Sequence, residues 1–259
     1  MSALIHHFGE QQLVGFALVL ARVAPVFWLA PMFSSTMFPA RIRAVAAVAL
    51  TIGLTPIALH GQHIPLSAVG LGGLILKEIL IGMAFAFAVG TVLAAVSVAG
   101  SFLDLMVGFS FGSLVDPSSG NRDTILSQLY SMIGVLVFIA IGGDGWVVKG
   151  VAQTYALVPL AKMPALGSLV GGADHAFVTI FVAALELAAP VLIAVLIADV
   201  GFGVVSRVVP QLNVFAVGFP AKILLGFLMI GVSLPYAAGW IDGQLQDSIR
   251  SALSTLHVG

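Results

Sequence analysis

The chain has 259 residues, of which 60% are hydrophobic and 8% charged, with a mean hydropathy of +1.14. A water-soluble domain carries roughly 25% charged residues, so 10 Lys/Arg and 11 Asp/Glu at a net charge of −1 exclude a soluble enzyme, a disordered chain and a nucleic-acid binder with a basic face. The absence of cysteine excludes disulfide and thiol chemistry; what remains is a membrane protein or a subunit buried in a very apolar assembly.

Residues 1–10 hold no Lys or Arg and carry Glu10 where a secretory signal would be basic. The N-terminus is therefore expected to stay in the mature protein. From there the apolar runs predict six long helical segments, at about 12–33, 44–59, 69–103, 124–142, 176–200 and 213–240, with a shorter helical piece near 146–160. A spanning helix needs about 20 apolar residues to cross roughly 30 Å of hydrocarbon. Ile79 to Leu103 is uncharged over 25 residues, Thr124 to Gly143 over 20 and Ile223 to Ile241 over 19. Nowhere does the pattern show the ten-residue alternation of barrel strands. The fold class read from the sequence is all-α, a membrane-associated protein of about six long apolar helices. Its 29 Gly and 12 Pro, several of them inside helical runs (Pro25, Gly82, Gly90, Pro190, Gly226), favour kinks and close helix contacts over smooth lipid-facing cylinders.

The loop charges do not separate into basic and non-basic sides. Arg41 and Arg43 mark the first loop, and Arg122, Lys149, Lys162, Arg207 and Arg250 follow singly. The helical segments are thus expected not to behave as independent bilayer spans.

Catalytic and metal chemistry find little support. Gly108-Phe-Ser110-Phe-Gly112 matches a nucleophile-elbow pattern, but it follows a helical run and the next His downstream is His175. A small-xxx-small contact between Gly108 and Gly112 is the better reading. His60 and His63 lie in a turn with no third ligand nearby. No catalytic, metal or cofactor site is expected. Charges inside apolar runs are a different matter, because an unpaired one is costly there. Arg22, Lys77, Glu78, Asp104, Glu186 and Asp199 form this group. They are expected to pair across helices or reach a subunit interface; the alternative is an autonomous secondary transporter that uses Glu186 or Asp199 for proton coupling. Glu186 and Asp199 stand 13 residues apart, roughly 220° around one helix, so they do not line one face as a relay.

The segment Gly108 to Asp123 (GFSFGSLVDPSSGNRD) is the oddest in the chain. Asp116-Pro117 and Ser119-Gly120 favour turns, yet Met106, Phe109 and Phe111 lead into them. An apolar entrance with a polar tip, between two hydrophobic helices, fits a loop folded into a protein cavity. Met and Phe suit a deformable seal.

These residues carry a resemblance. Arg22-Val-Ala-Pro25, Ala30-Pro31-Met-Phe33-Ser34 and Pro39-Ala40-Arg41-Ile-Arg43 resemble the start of the FliR family of flagellar export-gate subunits, related to the SctT-like subunits of virulence injectisomes. The likeness continues through Lys77-Glu78-Ile-Leu-Ile-Gly82, Gly108-Phe-Ser-Phe111 and Val115-Asp116-Pro117, then through Arg207-Val-Val-Pro210-Gln211-Leu212-Asn213-Val-Phe215 and Gly218-Phe219-Pro220. Glu186-Leu-Ala-Ala-Pro190, Gln211-Leu-Asn213 and Phe219-Pro220-Ala-Lys222 also resemble the two-helix FliQ export subunit.

The resemblance implies a FliP-like part at 1–172 fused to a FliQ-like hairpin at 173–259, with the boundary near 170–176 in the Gly-rich Gly167 to Gly172 stretch. It implies a non-enzymatic subunit of the flagellar type III export gate, at the basal body in the bacterial inner membrane. Its partners would be FliP-like, FliQ-like, FlhB-like and FlhA-like proteins, rod-base proteins and unfolded substrates in transit. It implies a plug loop that helps close the pore, carried here by Met106, Gly108, Phe109, Phe111, Val115, Asp116, Pro117 and Gly120. Arg22, Lys77, Glu78 and Glu186 are interface candidates, as are Arg207, Gln211, Asn213 and Lys222. Val217-Gly218-Phe219-Pro220 looks more like the flagellar branch than the injectisome one.

Overall fold

The computed structural model describes residues 9–29, 39–60, 62, 64, 68–110, 125–164, 166–211 and 213–256. They form α1 (Glu10–Leu29), α2 (Ala40–Leu59), α3 (Ala68–Val107), α4 (Ile125–Ala140), α5 (Gly143–Leu157), α6 (Leu166–Val208) and α7 (Val214–Ser254). All the elements among the described residues are helices, in keeping with the all-α class expected. Five of them are long and apolar enough to cross a membrane, and α4 with α5 make a sixth if taken as one broken span.

The helices outrun the predicted ones where sequence punctuation is overridden by packing. Gly142, at φ 67°, separates α4 from α5, a backbone conformation that glycine adopts without a Cβ penalty. The Gly-rich stretch from Gly167 to Gly172 lies inside α6, which begins ten residues before the expected start. A side chain at Gly172 would stand 2.9 Å from Thr255 Cγ2, so the missing Cβ admits a close contact there. α7 continues past Asp242 to Ser254 because its last turns are amphipathic. Leu245, Ile249 and Ala252 are buried at helical spacing, and Asp247 and Arg250 stay outside.

The chain divides into two compact units, Met1–Thr91 with Gly142–Phe177 and Leu245–Gly259, and Val92–Ile141 with Val178–Gln244. α3, α6 and α7 each contribute residues to both. In the first unit α1 packs on α2 and α2 on α5. Its buried side chains include Leu18, Val19 and Val23 of α1, Ala47 and Leu54 of α2, Ile81 and Phe85 of α3, and Val147 and Val151 of α5. Gly82 sits so close to α1 that a Cβ would lie 2.1 Å from the Arg22 carbonyl oxygen. In the second unit the core is one cluster of small and branched residues. Val92, Ala95, Val96, Ala99 and Leu103 of α3 meet Leu126 and Tyr130 of α4, Ala184, Leu187, Ala188 and Val191 of α6, and Ile241 of α7. Alanines at the contacts let the helix backbones approach, the mode of packing that apolar surroundings favour.

Candidate functional site

In the first unit, three charged side chains meet in the apolar interior. Arg22 (α1), Lys77 and Glu78 (α3) are each 3% exposed or less. The Arg22 guanidinium donates through Nε to Glu78 Oε2, through Nη1 to Thr154 Oγ1 at 3.1 Å and through Nη2 to the Val158 carbonyl at 2.8 Å. It also lies over the Tyr155 ring, 4.2 Å from the centroid, a cation–π contact that gains strength when desolvated. Lys77 Nζ donates to the carbonyls of Leu160 at 2.7 Å and Lys162 at 3.0 Å, and lies 2.7 Å from Glu78 Oε1. That last contact is a buried ion pair between neighbouring residues of α3.

The chain after α5 explains why two cations stand here. Residues 158–162 leave the helix, Pro159 has no N–H, and the carbonyls of residues 158, 160 and 162 face inward without a helical donor. In an apolar interior each such carbonyl needs a partner. Arg22 and Lys77 supply them at the carbonyl end of α5, where positive charge is favoured, and Glu78 neutralises one of the two. The Tyr155 hydroxyl, donating to the Val19 carbonyl at 3.3 Å, ties the same place to α1. The sequence marked Arg22, Lys77 and Glu78 and left open what each would meet. It missed Thr154 and Tyr155, adjacent hydroxyl-bearing residues in the last turn of α5.

In the second unit, Asp104 is completely buried near the end of α3. Its Oδ2 accepts the backbone N–H groups of Leu126 at 2.8 Å and Ser127 at 3.2 Å. These are second and third residues of α4, whose N–H groups have no acceptor within the helix. A carboxylate from α3 thus does the work of an N-cap for α4. Ser97 and Ser127 hydroxyls meet at 3.0 Å, and a Cβ on Gly100 would fall 2.6 Å from the Leu126 carbonyl. α3 and α4 therefore cross in close contact. α3 ends at Gly108, whose φ of 103° suits only glycine and whose N–H donates to the Asp104 carbonyl. Phe109 then meets Phe227 of α7 edge-on, 5.8 Å between centroids. Met106 is exposed. Phe111, Val115, Asp116, Pro117 and Gly120 lie outside the described residues.

The α6–α7 hairpin carries the remaining candidates. Asn213 caps α7, its Oδ1 accepting from the Ala216 N–H at 3.2 Å. Arg207, in the last turn of α6, and Gln211, in the turn that follows, are both exposed. Lys222 pairs with Asp199 at 2.9 and 3.0 Å from its two oxygens, and Glu186 accepts from the Trp240 indole at 3.4 Å. Around these groups the surface is apolar. Ile193, Ile197, Val200, Leu224, Leu228 and Val232 are all more than half exposed. Within the most apolar stretch of α7 only 17% of residues are buried, too few for a helix that folds for its own sake.

Residues 13–248 match the family described as bacterial export proteins, family 1. The chain belongs to bacterial export protein family 1. Its relatives include the flagellar biosynthetic protein FliR of Escherichia coli, 28% identical over 86% of this chain and 85% of that one. FliR of Bacillus subtilis is 29% identical over 85% of each. The surface presentation of antigens protein SpaR of Shigella flexneri is 27% identical over 82% of each. The resemblance to FliR read from the sequence therefore holds across the length of the chain. For a member of the export family, long apolar helices with an exposed apolar hairpin surface describe a membrane protein.

Proposed function

We propose that this chain is a non-enzymatic gate subunit of the flagellar type III protein export channel. It sits at the basal body in the bacterial inner membrane, with FliP-like and FliQ-like subunits around it and FlhB-like, FlhA-like and rod-base proteins attached. The observation that carries the reading is the match to export family 1 over residues 13–248, with relatives named as flagellar biosynthetic proteins. The exposed apolar face of α6 and α7 supports a place inside an assembly. Two long helices, α6 and α7, with only five residues of chain between them, support a FliQ-like hairpin for residues 173–259. The segment Gly108 to Asp123 acts as a plug that helps close the pore, and unfolded subunits pass when it yields. Arg207 and Gln211, exposed on the hairpin, and the partly exposed Lys222 are the residues through which it meets its neighbours.

Tagging the chain in its native host and copurifying FliP-like and FliQ-like subunits tests the assembly. A tagged chain that comes out alone, with normal hook and filament secretion in the deletion strain, sinks the reading. The injectisome reading is the neighbouring one, since SpaR matches at 27%. Restoration of swimming by the gene in a strain lacking its flagellar relative decides for the flagellar branch, and restoration of effector secretion alone decides against it.

A further inference from the structure

Asp104 holds both roots of the Gly108 to Asp123 segment at once. Its main-chain carbonyl accepts the Gly108 N–H at 3.0 Å, where α3 ends, and its side chain caps the first turn of α4, where the chain returns. The carboxylate is 0% exposed, and its other oxygen, Oδ1, has no hydrogen-bond partner among the described residues. Around it the helices are set for close contact: Gly100 leaves no room for a Cβ against Leu126, and the Ser97 and Ser127 hydroxyls touch. A buried carboxylate is an expensive device for joining two apolar helices, which would pack without it. What it adds is a fixed point, because two N–H groups without another acceptor must return to this one place.

We infer that Asp104 is a positioning residue of the gate: it clasps the two roots of the loop together, and the resting seal depends on a hydrogen-bond acceptor at this position. The inference rests on the reading of the Gly108 to Asp123 segment as a plug. It concerns the roots, which Asp104, Gly100, Ser97 and Ser127 define. The clasp needs an acceptor and not a charge, so asparagine serves where alanine does not.

The test is ion leak through the purified export-gate complex in planar bilayers. Losing a cap of this kind opens the closed state about fivefold to tenfold, so D104A is expected to raise the leak by that factor. D104N, which keeps an acceptor, stays within roughly twofold of the native complex. Because the chain has no cysteine, S97C/S127C in the D104A background forms one defined disulfide, which is expected to return the leak to native level until it is reduced. In a complex with Gly108 to Gly120 shortened, D104A adds nothing further. A leak from D104N equal to that of D104A overturns the clasp in favour of a role for the charge, as does failure of the disulfide to rescue. Native leak in D104A, where the shortened loop leaks, removes the clasp and leaves the plug standing. A shortened loop that does not leak removes the plug reading and the clasp with it. If D104A fails to assemble, D104N and the disulfide-bearing variant carry the same decision.

Discussion

Two regions of this chain treat polar groups in opposite ways. In the first unit Arg22, Lys77 and Glu78 are buried and answered by Thr154, Tyr155 and the carbonyls of residues 158–162. On the α6–α7 hairpin Asp199 and Lys222 stand partly in the open, 42% and 19% exposed, beside apolar side chains that nothing among the described residues covers. The charges of the first region find their partners within the chain, whereas the pair on the hairpin stays partly open among exposed apolar side chains. Hydropathy alone does not separate the two, since it counts a Val in a closed core and a Val awaiting a neighbour alike. The first unit has exposed apolar side chains of its own, Val45, Ile52 and Ile57 of α2 among them, so the contrast lies in how charge is buried and not in which unit needs covering.

Removal of Glu78 is the strongest way to break that contrast. With Glu78→Ala two cations remain in an apolar interior with no counter-charge, and breaking a buried pair in this way costs about 3–5 kcal/mol. The purified chain in detergent is expected to melt far lower, or to fail to accumulate. Glu78→Gln, which keeps an acceptor for Arg22, falls between. An unchanged melting temperature in both variants would show that the cluster is wet and that its charges are not buried as described.

The glycines sharpen the contrast at smaller cost. Gly82 and Gly100 sit where a Cβ would reach 2.1 Å from the Arg22 carbonyl oxygen and 2.6 Å from that of Leu126, so one close helix crossing in each unit depends on each. Overpacking of this kind costs about 1–3 kcal/mol, the expected loss for Gly82→Ala and Gly100→Ala. Gly53 of α2 and Gly231 of α7 meet nothing within 4 Å. Alanine there removes backbone freedom from the unfolded chain and is expected to stabilise by about 0.5–1 kcal/mol. Thermal melting of the four variants in one detergent checks the set. A gain at Gly231 in the isolated chain that becomes a loss of copurified partners would place Gly231 under a neighbouring subunit.

Much of this was legible in the sequence, for physical reasons. Uncharged runs of helical length left no alternative to an all-α fold, and the rarity of charge made each buried one conspicuous, so Arg22, Lys77, Glu78 and Asp104 stood out before their partners were known. The partners themselves were hidden. Leu160 and Lys162 contribute only backbone carbonyls, which side-chain patterns do not advertise, and Leu126 contributes only an N–H. The start of α6 was hidden too: the apolar pattern predicts it at about 176, but the glycines of the Gly167 to Gly172 stretch lie within the helix, and Gly172 packs against Thr255. Asn213 was singled out by a motif, while the structure gives it the plain local duty of capping α7.

The Asp199–Lys222 pair offers the smallest effect and the finest discrimination. An ion pair this exposed contributes about 0–1 kcal/mol, because water screens the charges and both side chains lose freedom in meeting. Lys222→Ala is therefore expected to leave the melting of the isolated chain within about 1 kcal/mol of the parent, and added salt to erase even that. The same substitution in a complex with copurified partners has a different expectation if the hairpin face is covered there. Covering the pair withdraws it from water, and loss of Lys222 then leaves Asp199 desolvated and alone, a change of several times the exposed value. Comparing salt-dependent melting of the chain with dissociation of the complex, for Lys222→Ala and for the double variant with Asp199→Ala, separates the cases. A double variant that assembles better than the single one marks a buried charge left behind, and so a covered hairpin. Equal behaviour of both in the complex marks a pair that stays in water, which would confine the neighbours to the apolar residues around it.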